Sequence, residues 1–170
     1  MKKLKSLLKD KRTINILFFF TSTVYALVLC RGLLFKYVRP WEVFSPDRYE
    51  YIGYNLIPFN GKGFDYRLDL IINTLMFVPF GFMLSMKSKN NLKSYLLLLI
   101  PFASSITFES LQYIFRLGAA DITDVIMNTV GGCVGFLLYL IVYKLFGSKP
   151  DAFFTYAMTC IAIIALILLY

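Results

Sequence analysis

The 170-residue sequence contains no histidine and little charge of either sign. Without histidine, most zinc sites and the most frequent general base of enzymes are excluded. Charged residues make up 16% of the chain and hydrophobic residues 58%, whereas a soluble domain is about one quarter charged. This composition excludes both an ordinary soluble domain and a disordered chain. It is typical of a polytopic membrane protein.

Cysteine is also scarce. Cys30, Cys133 and Cys160 are odd in number, and each lies in an apolar block. A disulfide framework is therefore not expected, and a thiol nucleophile would lack its histidine partner. We interpret the three as small apolar side chains, and we expect neither a metal ion nor a cofactor.

The net charge of +8 is interpreted as lysine placed on one membrane side, so no nucleic acid is expected as a partner.

Long apolar blocks dominate what is present, and crossing a bilayer takes about 20 such residues. The predicted fold class is all-α, a polytopic membrane helix bundle with about five transmembrane helices. The predicted spans are Ile14 to about Phe35, Leu70–Met86, about Ser94–Phe115, about Ile122–Phe146 and Ala152–Tyr170. The predicted domains are a basic cytoplasmic N-terminus (1–13), a membrane domain (14–150) with an outer loop (36–68), and an additional C-terminal transmembrane helix (151–170).

The positions of lysine and arginine predict the orientation, since cytoplasmic loops are enriched in both. A dense basic group precedes the first span, and Lys87, Lys89 and Lys93 follow the second. The N-terminus is therefore predicted to be cytoplasmic and the C-terminus extracellular. The outer loop is rich in tyrosine, phenylalanine and tryptophan, which favour the headgroup level. It is predicted to lie on the outer leaflet or to re-enter it.

Polar residues recur inside the apolar blocks, where they are costly and usually paired or functional. Two sets have i, i+3, i+7 spacing and so share a helical face, and Asn73 lies one turn inside the second span. These residues are Glu109, Gln112 and Arg116 in the third span, Asp121, Asp124 and Asn128 in the fourth, and Asn73. At 1.5 Å rise per residue, all lie in the predicted outer half of the membrane, with Glu109 near the level of Asn128. They predict a binding pocket that opens to the outer leaflet between spans two, three and four.

Structural explanations compete with a binding site. Asp121 is well placed as a helix N-cap with Asp124 at the third helical position, a capping-box-like arrangement. Arg116 is explained equally by snorkelling to the surface, and Asn73 and Gln112 by hydrogen bonds between helices. Glu109 is the hardest to explain structurally, because a carboxyl at that depth needs a partner.

Helix packing and helix shape have their own signals. Gly131 and Gly135 form a G-x-x-x-G pair, which predicts close approach of a neighbouring helix. Pro79 and Pro101 predict kinks in the second and third spans.

Several segments, in their order and spacing, resemble the VanZ-like family. They are Asn55-Leu-Ile-Pro-Phe59, Asn73-Thr-Leu-Met-Phe-Val-Pro-Phe-Gly-Phe82, Glu109-Ser-Leu-Gln112, Arg116, and Asp121-Ile-Thr-Asp124-Val-Ile-Met-Asn128-Thr-Val-Gly131. The resemblance covers roughly residues 51–144. It implies a role in the resistance of Gram-positive bacteria to teicoplanin and related lipid-tailed glycopeptides at the cell envelope, without implying a chemistry. The motif positions it carries over are Asn73, Pro79, Gly81, Glu109, Gln112, Arg116, Asp121, Asp124, Asn128 and Gly131.

Three functions remain open from the sequence. In the first, the outward pocket handles a lipid-linked headgroup, a cell-wall precursor or the lipoglycopeptide itself. In the second, the protein is a membrane enzyme in which Glu109 is the general base, Arg116 holds an anionic group, and Asp121 and Asp124 orient it or bind a divalent cation. No catalytic motif supports the enzyme. The third is a small transporter or flippase, for which the expected inverted repeats are not found. The oligomeric state is left open.

Overall fold

The computed structural model describes residues 10–45, 53–88, 94–147, 154–160 and 163, and for residues 94, 95, 97 and 98 the backbone alone. Four long helices are described: α1 (Lys11–Leu34), α2 (Phe64–Ser88), α3 (Ser94–Ile114) and α4 (Ile122–Phe146). Residues 154–160 are also helical. A single 3₁₀ turn, Pro40–Glu42, and two strands, β1 (Tyr54–Asn55) and β2 (Ala120–Asp121), complete the described elements.

The predicted all-α membrane bundle is confirmed. By length and composition, α1, α2 and α4 can each cross a membrane, and α4 has the predicted bounds. Helix α2 begins at Phe64, ahead of the predicted membrane span, which starts at Leu70. Its polar first turn carries Asp65, and an acidic side chain favours a helix start. We call residues 35–63, which join α1 to α2, the connecting loop. The number of crossings and the side of each terminus stay predictions, and most of the predicted fifth span lies outside the described residues.

The chain forms two compact units, one of residues 1–29 with 140–170 and one of residues 30–139. In the first unit, α1 contacts the helical residues 154–160 through two threonines. The hydroxyls of Thr21 and Thr159 lie 2.6 Å apart, and both side chains are buried. A polar pair inside an apolar contact fixes the register of the two segments, since each hydroxyl needs a partner there.

In the second unit, α2 and α4 meet backbone to backbone through glycine. A Cβ atom at Gly131 would overlap the carbonyl oxygen of Thr74, and one at Gly135 would overlap that of Val78. Both contacts advance one helical turn in the same chain direction, so α2 and α4 run parallel. The predicted G-x-x-x-G contact is confirmed, with α2 as the neighbour.

Helix α3 packs antiparallel to α4 in the same unit. The ring of Pro101 fills the space beside Gly132. One turn nearer the end of α3, the Asn128 amide donates to the hydroxyl of Ser105 at 2.8 Å, and both side chains are fully buried. The helix is continuous through Pro101, as α2 is through Pro79. These contacts set the level at which polar side chains of α3 and α4 meet.

Candidate functional site

The connecting loop is tied to the start of α4 by a short parallel ladder. Tyr54 pairs with Ala120 and Asn55 with Asp121. The ladder is extended by the Ala120 N–H, which donates to the Gly53 carbonyl at 3.1 Å. The loop is thereby held beside the segment that joins α3 to α4.

Asp121 ends that segment and caps α4. One carboxylate oxygen accepts the Thr123 N–H at 2.7 Å, and the other accepts the Asn55 amide at 3.0 Å. Thr123 is fully buried, and its hydroxyl accepts the Phe59 N–H at 3.1 Å. The predicted N-cap role of Asp121 is confirmed, because its side chain satisfies a donor that the helix leaves open. The same carboxylate also holds the loop.

Glu109 reaches the same point from α3. Its carboxylate accepts the backbone N–H of Asp121 at 2.8 Å, and the residue is 8% exposed. In a capping box that N–H would be bonded by the side chain at the third helical position, which here is Asp124. The predicted capping-box-like arrangement is therefore wrong, since Glu109 of another helix takes this bond. The Asp124 side chain does not bond this N–H and lies instead near the groups described next.

Asp124 faces Lys36 and Asn73. Lys36 and Asp69 form a salt bridge of 2.9 Å, and the charges of Lys36 and Asp124 also act on each other. Burial alone would lower the pKa of Lys36, but the hydrogen bond to Asp69 and the negative charges nearby outweigh it, so the pKa of Lys36 is raised above its ordinary value. Asn73 is 3% exposed and its amide lies beside Asp124, but its Nδ2 does not reach hydrogen-bond geometry with any described group.

Together these side chains form one polar cluster at the ends of α2, α3 and α4 where the connecting loop lies. We define the polar cluster as Lys36, Asn55, Asp69, Asn73, Glu109, Asp121 and Asp124. Four of these are among the predicted site residues: Asn73, Glu109, Asp121 and Asp124. Lys36, Asn55 and Asp69 were not predicted as part of it. Asn55 had a signal in the sequence, since it opens the loop motif of the family resemblance.

The remaining predicted site residues lie elsewhere. Arg116 does not share the face of Glu109, because α3 ends at Ile114 and Arg116 takes a left-handed backbone (φ 54°) with an exposed side chain. Gln112 is buried and donates to the Leu33 carbonyl at 2.7 Å, which ties α3 to the end of α1. Asn128 lies level with Ser105 of α3, one helical turn away from Glu109, with which it was predicted to be level. The prediction counted depth from Arg116, two residues beyond the real helix end.

Chemically, the polar cluster offers mainly hydrogen-bond acceptors. The charges that act on Glu109 and Asp124 are those of Lys36 and the neighbouring carboxyls. Within the described ranges, no three carboxylate or cysteine side chains converge in a way that could hold a metal ion. No described hydrogen bond joins Glu109 to a serine hydroxyl, so a serine–base pair is not formed there. The cluster is suited to binding donor groups of a ligand.

Comparisons with known proteins agree with the sequence motifs. The model of the VanZ/LLP1 family matches residues 19–143, a range that contains the whole polar cluster. The chain is similar to Protein VanZ of Enterococcus faecium, with 38% identity over 124 residues that cover 66% of this chain and 74% of that protein. No solved structure matches.

Proposed function

Because this chain belongs to the VanZ/LLP1 family of membrane proteins, we propose that it protects cells against teicoplanin and related lipid-tailed glycopeptide antibiotics. The polar cluster would act on a lipid-linked headgroup at the outer leaflet, either that of the antibiotic or that of a cell-wall precursor. The protein would bind or shield this headgroup.

The observation that carries the proposal is the burial of Glu109 and Asn73 at one end of three apolar helices. Polar groups at such a position are costly unless they are paired or functional, and the Nδ2 of Asn73 lies beside Asp124 without a hydrogen bond of ordinary geometry. Beside them, the connecting loop exposes large aromatic side chains: Trp41 is 72% exposed, Phe44 93% and Tyr54 69%. Exposed rings of this kind favour the membrane interface, where lipid-linked headgroups also lie.

The test compares a lipid-tailed glycopeptide with one that lacks the tail. The chain is expressed in a sensitive Gram-positive host, and the inhibitory concentrations of teicoplanin and vancomycin are measured. The proposal expects a larger increase for teicoplanin, and Asp124→Asn should abolish that increase with unchanged membrane abundance. Asp65→Asn, a change of the same type at an exposed position on α2, is the matched control. Equal shifts for both drugs would refute the role of the lipid tail.

The proposed location of the polar cluster requires the connecting loop to be extracellular. In a chain whose native cysteines are replaced, Lys62→Cys should react with a membrane-impermeant maleimide in intact cells. Lys144→Cys, near the end of α4, should react only after the cells are opened. The reverse pattern would place the polar cluster at the cytoplasmic face and remove the proposed site of action.

The enzyme hypothesis stays a prediction without added support. One oxygen of Glu109 is bonded to the Asp121 N–H, and Arg116, the predicted anion holder, is exposed and lies beyond the end of α3. Incubation of the purified protein with lipid II, followed by mass spectrometry, tests it: an unchanged lipid mass would exclude modification of this precursor.

A further inference from the structure

We propose that the polar cluster recognises a sugar hydroxyl of the headgroup, and not its phosphate or an amine. The proposal rests on the proposed function in one respect, namely that a headgroup is the ligand of this site. It names the chemical class that the site would select.

Charge argues against a phosphate. Within the cluster, three carboxylates (Asp69, Asp121 and Asp124) outnumber the one cation, Lys36, which already forms a 2.9 Å salt bridge with Asp69. A phosphate placed here would meet more negative than positive charge, and like charges at close range are strongly unfavourable in a partly buried site. A bridging divalent cation would need at least three convergent ligands, and the described carboxylates are not so arranged.

The amide of Asn73 discriminates between a hydroxyl and an amine as the bound group. Asn73 is 3% exposed, and its buried Nδ2 is a donor that lies beside the acceptor oxygens of Asp124 without reaching hydrogen-bond geometry. An ammonium group has donors only, so it could satisfy Asp124 but would leave the Asn73 amide unpaired. A hydroxyl both donates and accepts. It alone of the three groups can donate to Asp124 and accept from Asn73 at once.

The exposure of the cluster is graded in a way that suits entry of a headgroup. The side chains of Lys36 and Asp69 are 24% and 36% exposed and form the rim. Asn73 and Glu109 are nearly buried and form the floor. A sugar carries several hydroxyls, so one can reach the floor while others contact the rim.

The binding experiment uses the purified full chain in lipid nanodiscs. The probes are a polyprenyl pyrophosphate that carries the wall disaccharide, the same lipid pyrophosphate without sugar, and the disaccharide lipid with its hydroxyls acetylated. The proposal expects binding of the first to be at least about tenfold tighter than of the other two, the usual cost of an unmade hydrogen bond to a charged group. Equal binding of all three, or tighter binding of the sugar-free lipid, would overturn it. The acetylated probe tests the native protein, so this result does not depend on any variant.

Two variants then locate the site. Asn73→Leu removes the buried donor, and Asp124→Asn removes the charged acceptor with little change of shape. Each should reduce the preference for the sugar-bearing lipid about tenfold, whereas Asp65→Asn should keep it. Thermal unfolding checks that the variants fold. A preference retained in both folded variants would place the sugar contact outside the polar cluster and overturn the proposal.

A second binding experiment, with the antibiotic as ligand, shows whether the sugar belongs to the antibiotic or to the wall precursor. Teicoplanin and its sugar-free aglycone are compared as ligands in the same nanodiscs. If only the glycosylated drug binds, the antibiotic is the source; if only the wall lipid binds, the precursor is. Resistance in cells with equal binding of sugar-bearing and sugar-free lipids would refute this inference but not the proposed function. Selective sugar binding without any resistance would refute the function and leave the inference standing.

Discussion

Replacement of Glu109 by glutamine and by alanine separates two roles of this side chain. The carboxyl group accepts the Asp121 N–H at 2.8 Å, and it lies close enough to Asp121 and Asp124 for their charges to act on it. Glutamine keeps an oxygen that can accept the N–H but cannot ionise. Alanine removes both the acceptor and the ionisable group.

The magnitude follows from that single bond. A hydrogen bond contributes about 0.5–1.5 kcal/mol net, and an unsatisfied buried N–H costs about 1–3 kcal/mol. This bond is partly buried, so Glu109→Ala should lower the free energy of unfolding by about 1–2 kcal/mol. Glu109→Gln keeps an acceptor for this N–H in a side chain of the same shape. Its free energy of unfolding should stay within about 1 kcal/mol of the native value.

The assay combines stability, abundance and resistance. Thermal unfolding of the solubilised protein should place the alanine variant roughly 2–8 °C below the native protein, with the glutamine variant close to native. Teicoplanin resistance should be lost in both. Asp65→Asn, at an exposed position on α2, is the control. Full resistance with glutamine would show that ionisation of Glu109 has no functional role. A glutamine variant as unstable as alanine would refute the hydrogen-bond argument.

Three further predictions concern the scaffold. Gly135→Val should sharply reduce membrane abundance, measured by immunoblotting, because its side chain would overlap the backbone of α2. Asn55→Ala should make the connecting loop more sensitive to protease, since it removes the 3.0 Å bond to Asp121. The raised pKa of Lys36 means that its pairing stabilises the fold below its ordinary pKa of 10.5 and is lost as the pH rises through the higher folded value. In Asp69→Asn, this alkaline loss of stability, followed by thermal unfolding against pH, should begin at a lower pH.

Each of the three has a control at an exposed position. Val134→Ala on α4 should leave abundance unchanged, Asn60→Ala should leave the protease sensitivity of the loop unchanged, and Asp65→Asn should leave the alkaline limit unchanged. Normal abundance of Gly135→Val would contradict the close contact of α2 and α4. Native protease resistance of Asn55→Ala would show that the ladder alone holds the loop, and an unchanged alkaline limit in Asp69→Asn would show that Asp69 does not support the charge of Lys36.

The sequence predicts the helices well because long apolar blocks have few other structures in a membrane. Capping is also local, which is why Asp121 was assigned correctly. The error at Arg116 has a local cause as well. The left-handed residue that follows α3 is an arginine instead of the glycine that commonly marks such a position, so the pattern of polar spacing was extended past the real helix end.

The composition of the polar cluster could not be predicted from local patterns. Asn55 meets Asp121 across 66 positions of sequence, and Lys36 meets Asp69 from a different element. Such pairs depend on how the loop folds back over the helices, for which one sequence carries no periodic signal. The bond from Glu109 to the start of α4 is of the same kind, and it displaced the local partner that the capping pattern favours.

The two-residue ladder also has a consequence for biosynthesis. Tyr54 and Asn55 leave the ribosome well before their partners Ala120 and Asp121. Since a chain is made from its N-terminus at about 5–20 residues per second, the loop spends several seconds without its pairing strand while the residues of α2 and α3 are synthesised. The pairing of β1 therefore forms late in synthesis, after the residues of β2 have been made.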